Sequence, residues 1–332
     1  MILDAHLHCT GQERADDVLR SLDKAGIDMA VLLAPFLSEG YSLHDPASLR
    51  RGNEHLARLV RGHEDRLIGF AVVDPRQAES SIDLRRAVDS GLRGVKMVPT
   101  GWYPYDDAVQ PLFATAHELG LPLLFHSGIF IDGRSGRFCR PAFFEVLREY
   151  PGLKVTLAHL GWPWCDEAIA VGLIELIHGV APDRVMFRFD ISFGPPPAYR
   201  REVLSKALDV LGPDLLQFGS DCFLPCPGAH IAERKGWVED LLDELHVDAR
   251  GRQRIWAGTA AAWLGLAADD TPRPEKAQAR WSTAAMTSPT RRCTPRGVRP
   301  TAHRRTAACW PRMHCGVRAG AGGPSVVEPG EW

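Results

Sequence analysis

The sequence predicts an α/β chain closed into a (β/α)₈ TIM barrel, followed by a disordered tail. Three observations lead there. Short aliphatic and β-branched runs alternate with amphipathic stretches through residues 1–266. Eight such repeats in about 250 residues is the usual size of the closed barrel. The first strand ends in His-Leu-His rather than in the glycine-rich phosphate turn of a doubly wound open sheet, a fold that usually has fewer strands.

Strands are expected at 1–5, 27–34, 67–73, 94–98, 122–125, 154–158, 185–191 and 215–219. Helices are expected at 15–25, 47–61, 81–90, 109–119, 141–150, 165–177, 198–211 and 232–245, most of them with apolar positions three and four residues apart. In the first, Val18, Leu19 and Leu22 form the stripe. A last helix at about 253–264 is expected to cover the bottom of the barrel.

Composition bounds the function. The chain is 45% apolar and 24% charged, as in ordinary globular proteins. A net charge of −2 excludes a general nucleic-acid binder. No apolar run reaches the roughly 18 residues of a membrane span. Residues 1–6 enter a strand directly, without the charged and apolar regions of a secretion signal, so a cytoplasmic protein with reduced thiols is expected. The small net charge conceals an asymmetry. Residues 271–332 carry 11 Lys+Arg and 3 Asp+Glu, a charge of +8, which leaves −10 on the rest. That tail has no Leu, Ile or Phe. It cannot bury enough apolar surface to offset its ordering entropy, so 1–268 is read as the barrel and 269–332 as disordered. The abrupt change of composition also suggests a shifted reading frame. Cys293, His303, Cys309, His314 and Cys315 fit no zinc-finger spacing.

In a barrel, the C-terminal ends of all strands converge on one mouth. His6 and His8 end the first strand and point the same way in an extended segment, so both can bind one ion. His126 ends the fifth strand, His159 the sixth and Asp221 the eighth. Asp74, Lys96 and Asp190 stand at the ends of the third, fourth and seventh. Histidine and aspartate suit Zn²⁺, Mn²⁺ or Fe²⁺. A three-His, one-Asp shell with an open position would bring the pKa of a bound water to about 7. A lone histidine is more often structural than a ligand, and His44, His55, His63, His117, His178 and His246 are read as surface residues. The set at successive strand ends is what distinguishes the others.

The motifs Asp4-Ala5-His6-Leu7-His8, Gly94-Val95-Lys96, Phe125-His126-Ser127-Gly128, Ala158-His159-Leu160-Gly161 and Phe218-Gly219-Ser220-Asp221 together resemble the amidohydrolase-related (amidohydrolase 2) group of the amidohydrolase superfamily. That group includes aminocarboxymuconate-semialdehyde decarboxylase, resorcylate-type decarboxylases and pyrone-dicarboxylate lactonase. The resemblance spans 1–266. It departs from the pattern at Thr259, where the group carries Asn after the Gly of the last helix. It implies that His6, His8, His126 and Asp221 hold one divalent ion, usually Zn²⁺, with Mn²⁺ the alternative. It implies an acid/base or electrophilic role for His159. In related groups the lysine of the fourth strand is carboxylated and bridges two metals; Lys96 is equally open to a place in the barrel core or on a substrate carboxylate. Asp221 is either ligand and general base or ligand alone.

The loops above the strands suggest a small cyclic or aromatic acid as substrate. Arg134, Arg137 and Arg140 follow the fifth strand and suit carboxylate recognition, unless they are solvated or paired with nearby acids. Trp102 and Tyr103 follow the fourth strand, and Trp162 the sixth, as candidate walls. Cys9 and Cys222 are read as packing residues. The expected activity is hydrolysis of an ester, lactone or amide, with non-oxidative decarboxylation of an aromatic or enol acid as the alternative and a non-catalytic barrel as the third reading. No nucleic-acid or membrane partner is expected; barrels of the resembled group often dimerise, so a homodimer is left open, and the sequence does not fix the oligomeric state.

Overall fold

The computed structural model describes residues 1–192 and 194–266. The expectations for 269–332 lie outside the described residues. The βα repeat runs as β1 (Leu3–His8), α1 (Ala15–Ala25), β2 (Met29–Leu33), a hairpin of β3 (Leu37–Ser38) and β4 (Tyr41–Ser42), α2 (Pro46–Val60), β5 (Leu67–Val72), α3 (Ser80–Asp89), β6 (Gly94–Met97), α4 (Gln110–Glu118) and β7 (Pro122–Phe125). It continues with a 3₁₀ helix (Pro141–Glu149), β8 (Lys154–Leu157), α5 (Cys165–Ile177), β9 (Phe187–Asp190), α6 (Pro197–Leu211), β10 (Leu216–Gln217), β11 (Cys222–Phe223) and α7 (Gly228–Glu244). The 3₁₀ winding presents Phe144 to Phe125 and Phe143 to Tyr103 and Tyr105.

The main sheet is parallel, in the order β10-β9-β8-β7-β6-β5-β2-β1-β11. Its two edges belong to one stretch of chain. Residues 216–217 pair with β9, and residues 222–223 pair with β1. Between them, Ala5 N–H donates to Phe218 O and Asp221 N–H to His6 O, so the eighth strand closes the sheet on itself. The expected strand at 215–219 is therefore two short pairings joined by a bend.

Side chains alternate across the strands, as β geometry requires. Leu7, Leu32, Val95, Leu123, Val155 and Phe187 face outward to the helices. Leu3, Ala5, Val31, Leu33, Ile68, Phe70, Leu124 and Ala158 face inward. The bottom of that interior is filled by residues 249–264. The expected last helix is three pieces: α8 (Ala249–Gln253), a π-helical turn (Arg254–Gly258) and α9 (Thr259–Leu264). Trp263 of α9 is fully buried among the inward residues, 5.1 Å from the Phe70 ring, with its indole N–H on Lys154 O. Thr259, standing where the resembled group has Asn, directs its hydroxyl to the carbonyls of Pro213 and Asp214, each at 3.2 Å. Above this apolar floor the inward positions turn polar: His6, His8, Lys96 and Asp190 are all buried. Among the described residues no helix is long and apolar enough to cross a membrane.

Candidate metal centre

β1 delivers the first two candidate ligands. His6 Nε2 and His8 Nε2 lie 3.1 Å apart, as their shared strand face requires. Asp221, at the bend of the eighth strand, brings Oδ1 to 3.3 Å from His6 Nε2 and 3.0 Å from His8 Nε2. The approach is close: a Cβ on Gly219 would stand 2.7 Å from His6 Cβ, so only glycine lets the eighth strand pass here. Asp221 and His159 both adopt left-handed backbone angles, φ 56° and 62°. Such conformations cost free energy in non-glycine residues and collect at functional sites.

The hydrogen bonds settle the tautomers. His6 Nδ1 lies 2.9 Å from Asp190 Oδ2 and must donate to it, which leaves Nε2 as the lone-pair nitrogen facing His8 and Asp221. Ser192 Oγ bonds both to Asp190 Oδ1 and to His159 Nδ1. A carboxylate only accepts, so the hydroxyl donates to Asp190 and His159 Nδ1–H donates to the hydroxyl. His159 Nε2 is then a free lone pair. His159 N–H also donates to Asp190 Oδ1, at 3.0 Å. One buried carboxylate thus orients two imidazoles. Asp190 figured in the sequence only as a charge at a strand end, and Ser192 had no signal there at all.

Burial and charge set the protonation states. Burial lowers His8 to about 4. Burial, then the neighbouring His159 and Lys96, hold His126 well below its usual value. His159 is likewise lowered, chiefly by burial. Burial brings Lys96 down to about 8. For Asp190 and Asp221 burial alone would raise the carboxyls, but the electrostatic pull of the neighbouring His6 and His159 rings and the hydrogen bonds the carboxylates accept outweigh it and keep both well below the usual range. Burial raises the Asp4 carboxyl to about 6.

The donor set fits a divalent cation. The buried His6 Nε2 and His8 Nε2 and the half-buried Asp221 Oδ1 are 3.0–3.3 Å from one another. Ligands about 2.0–2.1 Å from one ion in a tetrahedron are about 3.3–3.4 Å apart. A carboxylate behind a ligand histidine is the usual outer partner of such sites. Among the described residues, His6, His8 and Asp221 form one such group, and His6, His159 and Asp190 a second. His126 is in neither. Its Nε2–H donates to Ile129 O at 2.8 Å, which leaves Nδ1 as its lone pair; its ring centroid is 5.1 Å from that of His159. Lys96 reaches the cluster, with Nζ 3.2 Å from His6 Nε2, rather than lying in the apolar floor.

The candidate walls divide. Tyr103 stacks on Tyr105 and packs edge-on to Phe138 and Phe143. Trp162 rests against Tyr199, with ring centroids 4.9 Å apart. Trp102, expected in the mouth, is buried against Phe113 in the outer core, because its position after β6 turns toward α4. Arg140 pairs with Glu167 and covers Trp164. Arg137 lies over Phe138, and Arg134 is exposed. Asp74 is held by Arg76 and Gln77, away from the cluster. His55, read as surface, bonds the buried Glu13 at 3.0 Å. Cys9 and Cys222 are buried packing residues, as expected.

The family model described as amidohydrolase matches residues 3–266. The chain belongs to the amidohydrolase family. This amidohydrolase is similar in fold to several solved structures. With 5-carboxyvanillate decarboxylase from Sphingomonas paucimobilis it shares 18% identity at a TM-score of 0.57, covering 80% of this chain and 99% of that one. With 2,6-dihydroxybenzoate decarboxylase from Rhizobium the values are 17% and 0.59, covering 80% and 98%. With a protein described as a probable 2-pyrone-4,6-dicarboxylic acid hydrolase from Acinetobacter baumannii they are 15% and 0.53, covering 80% and 99%. No curated protein matches the chain. The family makes this amidohydrolase an enzyme, a hydrolase or a carboxy-lyase, and its His and Asp cluster fits the metal dependence general in the family.

Proposed function

We propose that this amidohydrolase hydrolyses an ester, lactone or amide bond of a small, carboxylate-bearing cyclic substrate with one zinc ion. The observation that carries the reading is the meeting of His6 Nε2, His8 Nε2 and Asp221 Oδ1, backed by Asp190 on His6. His6, His8 and Asp221 would hold the ion, with His126 the neighbouring imidazole. When bound, the ion supplies Lewis acidity, lowering the pKa of water and polarising a substrate oxygen.

The protein groups then have distinct tasks. Asp221, kept ionised by its imidazole neighbours, accepts the proton of the attacking water and returns it to the leaving group. His159, its Nδ1 tied to Ser192, turns Nε2 to the substrate and stabilises charge developing on the substrate oxygen. Lys96 offers a buried amine to a substrate carboxylate. Tyr103 and Trp162 form walls, and Arg134 and Arg137 remain at the rim for a second carboxylate.

Decarboxylation of an aromatic or enol acid is the second reading, favoured by the two decarboxylases among the similar structures. One experiment separates the two. The protein, purified without chelators, is assayed for bound metal, then offered pyrone, lactone and hydroxybenzoate acids in ¹⁸O-water. Label in the product supports hydrolysis; CO₂ release without label supports the carboxy-lyase. A protein that binds no divalent ion refutes both.

A further inference from the structure

The strand that carries His6 and His8 has an irregularity that decides where both point. Leu3 and Asp4 pair with Met29 and Ala30 of β2, whereas Leu7 and His8 pair with Leu32 and Leu33. Ala5 and His6 therefore share one opposing residue, Val31. This is a β-bulge, rare between parallel strands. Its effect is a change of phase. Leu3 and Ala5 face the apolar interior, and in a regular strand Leu7 would follow them while His6 and His8 turned out toward the helices. The extra residue sends Leu7 outward and puts both histidines inside, above the Leu3 and Ala5 layer.

A bulge leaves one backbone N–H out of the ladder, and an unpaired buried N–H is costly. Here that group is His6 N–H, and Asp4 Oδ1 accepts it at 3.1 Å. The same oxygen accepts Ser220 N–H, 2.9 Å away and one residue before Asp221. Asp4 itself is fully buried. We infer that Asp4 is a positioning residue: its Oδ1 holds the β1 bulge and the bend of the eighth strand together, and so brings His6 and His8 into reach of Asp221. Asp4 touches neither substrate nor ion in this role. It acts through the two backbones that carry the ligand side chains, in the way other outer groups orient a metal site.

This inference rests on the metal-site reading, and its test separates the two. Wild type, Asp4→Asn and Asp4→Leu are compared for Co²⁺ affinity, for the visible spectrum of the cobalt-loaded protein and for cooperative unfolding. Asn keeps an oxygen that accepts both N–H groups; Leu has nearly the same shape and keeps none. D4N is expected to bind Co²⁺ within a few fold of wild type with the same spectrum. D4L is expected to fold, to bind at least ~10-fold more weakly and to give an altered spectrum, the range typical of lost outer partners. A D4L protein with wild-type affinity and spectrum overturns the inference, as does a folded D4N protein that loses the ion. If D4L does not fold, amide exchange in wild type and D4N decides: slow exchange at both His6 and Ser220 supports the clamp, and fast exchange at either overturns it. Wild-type protein that binds no Co²⁺ overturns the metal site itself, a different result from any of these.

Discussion

The candidate imidazoles are oriented by a buried carboxylate behind them. Asp190 spends one oxygen on His6 and the other on Ser192 and on the His159 backbone, which fixes the tautomers of two imidazoles at once. Replacing it by Ala should weaken divalent-ion binding about 10–100-fold while most of the fold is kept, a range known for such outer partners; titration of the apoprotein with Zn²⁺ checks it, and unchanged affinity would remove Asp190 from the site. Glu13 does similar work on the loop after β1. Burial alone would raise its carboxyl, but the His55 bond and the N–H and hydroxyl of Thr10 outweigh burial and hold it below 4.5. A depressed folded value stabilises the protein fully above about pH 4.5, and the benefit disappears as pH falls through that lower value. Glu13→Gln should therefore be less stable than wild type at neutral pH, with the difference shrinking steadily below pH 4.5. Urea unfolding at several pH values reads this directly; a gap that widens in acid contradicts it.

Elements here are placed by what their inward residues can tolerate. β6 crosses beside β5 with Gly94 under the Phe70 ring, and a Cβ at Gly94 would stand 2.3 Å from that ring. Phe70 has little room to retreat, because Trp263 lies 5.1 Å away on the floor. Gly94→Ala should cost about 1–3 kcal/mol, the usual range of overpacking. The measurement is the denaturant midpoint at unchanged m-value. A wild-type midpoint would mean that the strand shifts freely, and Lys96, two residues on, would then be less firmly aimed. The hairpin of β3 and β4 had no periodicity long enough to be read in the sequence, since each strand is only two residues long.

For the molecule as a whole, closure and the floor go together. Trp263 plugs the interior from α9 and ties to β8 through Lys154 O. Trp263→Ala should lose about 3–5 kcal/mol, typical of a buried aromatic, and thermal unfolding of the full chain would show it. Metal binding should add to the same stability. At a free ion concentration of about 100 times the dissociation constant the gain is about 2.7 kcal/mol, so adding EDTA should lower the thermal midpoint and restoring Zn²⁺ should recover it. A midpoint indifferent to both would separate the ion from the folded state.

The linear chain was enough to determine the repeat, the place of most strands and the ends at which His6, His8, Lys96, His126, His159 and Asp221 stand. Alternation of period two and stripes of three to four residues are local properties, and a closed parallel sheet sends every strand end to one rim. Other features depended on long-range contacts. The bulge that turns His6 and His8 inward needs β2 as its ruler, and the Asp190 bond spans 184 residues. The burial of Trp102, the pairing of Arg140 with Glu167 and the carbonyl that takes His126 Nε2 follow from loop paths that local propensity does not encode. Hydrophobic period is written in neighbours along the chain, whereas hydrogen-bond partners and protonation are decided by neighbours in space.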